Sequence, residues 1–109
     1  VNIIAVNKIA EEEGNPALLR DAALLMQKEL KNTAIAGAFV ADGKPQLLLM
    51  YSEDLVAAGK NAGKDIRDAA KFIQGGGGGQ PGLATAGGKN PDGIKDALEA
   101  LIAKATGRN

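Results

Sequence analysis

Lys60, Lys64, Arg67 and Lys71 stand four, three and four residues apart. At about 3.6 residues per turn, that spacing stacks them on one face of a helix. A row of cations one turn apart can follow a phosphate backbone. Asp65 and Asp68 fall to one side of the row and partly screen it. Between Lys60 and Pro91, five basic residues (these four and Lys89) face two acidic ones, a local net charge of +3. The same pattern also suits a plain solvated helix face.

Five consecutive glycines, Gly75, Gly76, Gly77, Gly78 and Gly79, follow this helix, and then Gln80-Pro81-Gly82. Glycine lets backbone N–H groups turn toward one anion, or lets a ligand approach the main chain closely. The tract reads as a loop, either a binding loop or a merely flexible one. Two nucleotide motifs nearly match and are rejected. Gly77 to Gly82 fits G-x-G-x-x-G by letter, but it follows a helix and precedes a strand, the reverse of the dinucleotide-binding context. Gly82 to Lys89 is one residue too long for a P-loop, and Asn90 stands where a Ser or Thr would hold magnesium.

Other candidates are weaker. Asp65 with Asp68, and Asp92 with Asp96, would do acid–base or metal chemistry only in a buried cleft. Among so many lysines they read as surface ion-pair partners. Met26 and Met50 read as core, and Tyr51 as a partly buried structural tyrosine. The chain has no Cys and no His. That leaves no Cys or His metal ligand, no Cys nucleophile and no Ser-His-Asp triad within it. No catalytic residue, metal ligand or cofactor site is expected in these residues.

The elements that position the basic row come from the apolar pattern. Val1 to Ile9 reads as a strand with two apolar faces, hence central in a covered sheet. Asn15-Pro16 starts a helix that ends near Lys31-Asn32. Thr33 to Ala41 and Gln46 to Tyr51 are strands joined by an Asp42-Gly43 hairpin turn. Ser52-Glu53-Asp54 caps a short helix that stops at Gly59. The basic helix runs from about Lys60 or Asn61 to Gln74, with Ala62, Ile66, Ala69, Ala70 and Ile73 on its apolar side. Leu83 to Ala86 is a short strand at best. Asn90-Pro91-Asp92 starts a last helix whose stripe is Ile94, Ala97, Leu98, Leu101, Ile102 and Ala105.

This order gives an α/β domain spanning residues 1–109, with a mixed β-sheet of about four strands and one β-hairpin, covered by helices. Length agrees, since 109 residues suit one domain. Thirteen Lys and Arg balance thirteen Asp and Glu. A nucleic-acid site must therefore be a local patch. Aromatics are only 3% of the chain, which argues against a sheet that stacks bases on rings. No apolar run approaches the roughly 20 residues of a membrane span, and no signal peptide is visible, so a cytoplasmic location is expected. The chain opens at Val1 rather than Met, which suits a piece of a longer protein.

Ala62-Gly63-Lys64 through Phe72-Ile73, then the glycines, then Gln80-Pro81-Gly82-Leu83-Ala84-Thr85-Ala86-Gly87-Gly88, resembles the glycine-rich signature at the C-terminal end of alanine–tRNA ligases. That domain, termed DHHA1 or C-Ala, is also attached to DHH-type phosphoesterases. The resemblance covers essentially the whole chain, and the run of glycines, Pro and Ala-x-Ala-Gly-Gly is its specific part. It implies a tRNA-gripping module that holds the outer corner, or elbow, of alanine tRNA. The aminoacylation and editing domains would then share one bound tRNA. The expected RNA-facing residues are Lys60, Lys64, Arg67, Lys71, Gly75 to Gly79, Gln80 and Lys89. ATP and zinc would belong to the rest of the parent enzyme. Its other domains, and a second copy of the chain, are further expected partners.

Two departures stand out. The family often carries Arg before the proline and Asp after it, where this chain has Gln80 and Gly82. The phosphoesterase relatives usually carry a His after the glycines, and Gln80 in its place counts against that branch. Two other roles remain open beside RNA binding by a tRNA ligase. One is a protein-contact or dimerisation domain, and the other a substrate-gripping domain of a phosphoesterase acting on single strands.

Overall fold

The computed structural model describes residues 2–8, 29, 31–41 and 43–106. The helix expected after Asn15-Pro16, with Met26, lies outside these residues. Among the described residues five strands form one sheet: β1 (Asn2–Lys8), β2 (Thr33–Ala41), β3 (Lys44–Tyr51), β4 (Gly76–Gly79) and β5 (Leu83–Gly87), in the order β1-β2-β3-β5-β4. β1 pairs with β2 in parallel, and every other pairing is antiparallel. Among the described residues three α-helices accompany them: α1 (Glu53–Ala57), α2 (Ala62–Ala70) and α3 (Ile94–Thr106). The mixed α/β class is as expected, with two corrections. The fifth strand is the glycine tract itself. And β1 lies at an edge of the described sheet, not at its centre. Two apolar faces report cover above and below a strand, and say nothing about pairing along its two sides.

The alternation of side chains along each strand divides the core. On one face Ala34, Ala36 and Ala38 of β2, Leu47, Leu49 and Tyr51 of β3, and Ala84 and Ala86 of β5 are buried with α2 and α3. Register sets small against large there. Leu49 lies between Ala36 and Ala84, and Leu47 between Ala38 and Ala86. The alanines leave room for two helices to sit close to the sheet around one large central row. On the other face Ile35, Leu48, Met50 and Leu83 form a second buried cluster. The run Leu47 to Tyr51 is therefore buried on both sides, which explains its unbroken hydrophobicity.

The turns follow local chemistry. The β2–β3 hairpin closes between Ala41 and Lys44, with Gly43 at φ 74°. Ser52 stands at the N-cap of α1, but its hydroxyl accepts from the Thr33 N–H at 3.1 Å and caps no helix. Gly59, at φ 108°, ends that segment. Asn90 accepts from the Asp92 N–H at the start of a 3₁₀ turn, Pro91–Gly93, which runs into α3. The buried stripe of α3 is Ile94, Ala97, Leu98, Leu101 and Ala105, with Ile102 half-buried. Among the described residues no helix is long and apolar enough to cross a membrane.

Candidate nucleic-acid interface

The basic helix is fixed at its start by two caps. The Asn61 side chain accepts from the Lys64 N–H at 3.2 Å, and the Pro81 carbonyl accepts from the Ala62 N–H at 2.8 Å. Ala62, Gly63, Ile66, Ala69 and Ala70 are buried against the sheet. Helical periodicity then turns Lys64, Arg67 and Lys71 outward, and all three are exposed. The helix gives way to a 3₁₀ turn, Lys71–Ile73, and ends at Gln74.

The two carboxylates on α2 are drawn off the row. Asp65 accepts the Tyr51 hydroxyl proton. Asp68 pairs with the Lys104 ammonium of α3 at 3.0 Å. The Lys104 ammonium holds the Asp68 carboxyl below the ordinary carboxylate value, with smaller help from Lys71 and Lys64. Burial, then the Asp65 contact, pushes the Tyr51 phenol well above its ordinary value. The Tyr51 ring is fully buried and thus unavailable to stack on a base.

Lys60 departs from the expected row. It precedes α2 and is half-buried. Its ammonium donates to the Lys104 carbonyl at 2.9 Å and sits 5.8 Å from the centre of the Tyr51 ring. Its sequence spacing matches the row, but the helix starts two residues later and the side chain turns to α3.

The glycine tract is an edge strand, not the expected loop. Gly76–Gly79 pairs with Leu83–Gly87, and Gln80-Pro81-Gly82 makes the connecting turn, closed by Gln80 and Leu83 exchanging backbone hydrogen bonds. Glycine is a poor strand former on its own. Tertiary packing overrides that preference. A Cβ at Gly77 would meet the β5 backbone at Thr85 and Ala86, and one at Gly75 would meet Gly87 and Gly88. A Cβ at Gly79 would lie 2.6 Å from the Leu83 carbonyl oxygen. Alternate positions therefore exclude any side chain. The intervening positions do not. A Cβ at Gly76 meets nothing within 4 Å, and one at Gly78 meets only the Arg67 Nε, at 3.9 Å. Neither has a left-handed φ. Packing does not require glycine at these two positions.

Packing joins the two features. Gly63 of α2 rests directly on Gly79, and the Arg67 guanidinium, held by Nε donating to the Gly63 carbonyl at 3.2 Å, lies beside Gly78. Lys64, Arg67 and Lys71 thus border a strip of uncovered main chain. Gln80 is exposed at the turn after β4. Lys89 is brought to the opposite end of the strand, near Gln74 and Gly75, where its N–H donates to the Ile73 carbonyl at 2.8 Å. Sequence reasoning passed over Phe72, 48% exposed and next to Lys71, and over Lys44 and Gln46, which lie near Lys89. Phe72 had a signal: it falls off the helix's apolar spacing. Lys44 and Gln46 had none, because only the sheet register sets Gln46 opposite Gly87, with Lys44 two residues before it.

Of the two near-matches to nucleotide motifs, Gly77 to Gly82 is strand and turn, and Gly82 to Lys89 is mostly strand. Among the described residues no three His, Cys, Asp or Glu side chains converge as a metal site would need.

The glycine edge strand and the basic helix both fall within the match to one family model, that of the DHHA1 domain. The family's model matches residues 2–107, and the chain belongs to that family. Its relatives include the alanine–tRNA ligase of Bacteroides fragilis, 45% identical over 86 residues, covering 78% of this chain and 10% of that protein. The alanine–tRNA ligase of Porphyromonas gingivalis is 46% identical over 88 residues, covering 79% and 10%. The fold is similar to the C-Ala domain of Aquifex aeolicus alanyl-tRNA synthetase, with a TM-score of 0.78 at 28% identity, over 94% of this chain and 90% of that one. The matched segment spans about a tenth of the length of the curated relatives.

Proposed function

We propose that this chain is the RNA-binding accessory domain of an alanine–tRNA ligase, gripping folded tRNA at its outer corner by shape and phosphate contacts. ATP-dependent aminoacylation and editing belong to other parts of that enzyme, as do ATP and zinc. The observation that carries the reading is the exposed row Lys64, Arg67 and Lys71 beside a strand whose outward glycines the fold does not need. Cations of this kind meet phosphates, and bare main chain admits a sugar–phosphate backbone at close range. The balanced net charge fits a domain that contributes part of a larger interface.

A salt titration of tRNA binding tests this, comparing the intact chain with a Lys64→Ala, Arg67→Ala, Lys71→Ala variant. Binding that weakens with salt is expected, with the variant's log–log slope flatter by about 2. Absence of tRNA binding at low salt by the well-folded wild type would sink the reading. A second reading is favoured by one feature. β4 is an edge strand with exposed main chain, which could pair with another protein. A stable dimer by solution mass, with no RNA bound, would select it.

A further inference from the structure

An open depression of about 470 Å³ lies where β3 begins, β5 ends and the chain leaves the α2 turn toward β4. Its lining includes Lys44, Gln46, Gln74, Gly87, Gly88 and Lys89. The volume falls in the usual range for small-ligand sites, about 300–1,000 Å³. Among the described residues its lining carries two ammonium groups and two carboxamides, and no carboxylate.

The walls are preformed. The Gly88 N–H donates to the Pro45 carbonyl at 3.1 Å, and the Lys89 and Asn90 N–H groups both donate to the Ile73 carbonyl, at 2.8 and 2.9 Å. A Cβ at Gly87 would lie 3.3 Å from both polar atoms of the Gln46 amide, so that amide rests over bare backbone. Gln74 is left-handed at φ 53°, a conformation that glycine adopts freely and most side chains resist. In a chain with 15 glycines, a glutamine holds this helix-terminal position. No hydrogen bond to another described residue occupies either carboxamide.

We propose that this depression seats one nucleotide of the bound RNA, with the Gln46 and Gln74 carboxamides meeting the base edge and the Lys44 and Lys89 ammonium groups meeting its phosphate. The proposal rests on the RNA-binding reading and extends it, because a strand following Lys64, Arg67 and Lys71 arrives at Gln74 next. A carboxamide presents both a donor and an acceptor, which matches a base edge and has no special match to a bare anion. Ammonium groups supply the charge a phosphate needs.

The test is a ¹H–¹⁵N NMR titration of the wild-type chain with nucleoside monophosphates and, separately, with inorganic phosphate. It is joined to tRNA-binding curves for a Gln46→Ala, Gln74→Ala variant and a Lys44→Ala, Lys89→Ala variant. Nucleotides are expected to shift the Gln46 and Gln74 side-chain amides along with the Gly87, Gly88 and Lys89 backbone, while phosphate shifts the backbone alone. The glutamine variant should weaken tRNA binding several-fold at an unchanged salt slope. The lysine variant should flatten the slope by about 0.7–0.9 for each phosphate left without its ammonium partner. Equal effects of phosphate and nucleotide would overturn the proposal in favour of a simple anion site. So would wild-type tRNA affinity in both variants while the Lys64, Arg67, Lys71 variant loses it, and that result would leave the RNA-binding reading standing.

Discussion

Gly63 of α2 and Gly79 of β4 touch backbone to backbone: a methyl group on Gly63 would lie 2.8 Å from the Gly79 carbonyl oxygen. The helix that carries the cations is thereby pressed onto the edge of the sheet. The neighbouring atoms are main chain and cannot rotate aside. Gly63→Ala is expected to destabilise the fold by about 1–3 kcal/mol through overpacking. Urea unfolding measures this. An unchanged midpoint would show that the helix can ride higher over β4.

The glycines of β4 should behave as two classes. Gly77→Ala forces a collision with the β5 backbone and should lower the melting temperature markedly. Gly76→Ala meets open space and Gly78→Ala only an ordinary contact with the Arg67 Nε, so both should keep stability within about 0.5 kcal/mol of the wild type. These two are expected to weaken tRNA binding several-fold, because a methyl group lifts the ligand off the strip. Thermal melts and binding curves on the same samples separate the classes. Full tRNA affinity in a stable Gly78→Ala protein would show that nothing packs there.

Asp68 links α2 to α3, and its carboxyl lies below the ordinary value of 3.8 because of Lys104. A lowered carboxyl favours the folded state at pH values above 3.8, and that favour disappears as pH falls through the folded-state value. Asp54 works in the same direction, held low by Ser52 first and by the Asn32 N–H. Urea midpoints should therefore decline below about pH 4. In Asp68→Asn the decline should be shallower, and identical acid profiles would remove Asp68 as a contributor.

At the alkaline end Tyr51 acts with the opposite sign. Its phenol is raised from 10.0, so the folded state resists ionisation that the unfolded chain allows. Lys104, raised from 10.5 by Asp68, adds to this. Stability is complete below pH 10 and should fall as pH rises beyond it. Tyr51→Phe should cost about 1 kcal/mol near neutrality, from the lost hydrogen bond to Asp65. It should also show a flatter alkaline profile. A profile as steep as the wild type's would point away from the phenol.

Several elements were readable in the sequence for identifiable reasons. The Asp42-Gly43 turn, the Asn-Pro start before α3 and the apolar side of α2 are local signals, each confined to a few neighbouring residues. The outward placement of Lys64, Arg67 and Lys71 followed from helical spacing alone. The failures needed information from distant residues. The glycine tract reads as a loop because its own propensity says so, while its strand pairing is imposed by β5 and by Gly63. Lys60 fits the spacing, but Lys104, far along the chain, takes its ammonium. The edge position of β1 depends on the order in which strands assemble, which no single strand encodes.

β4 also has a consequence for local motion. Glycine loses more backbone freedom on ordering than any other residue, and an edge strand has a pairing partner on one side only. Four such residues in succession should let β4 open more readily than the doubly paired β3. Amide hydrogen exchange at Gly76–Gly79 should therefore outpace that of β3. A ligand resting on this strip would slow it, so part of the binding free energy would go into holding the strand shut.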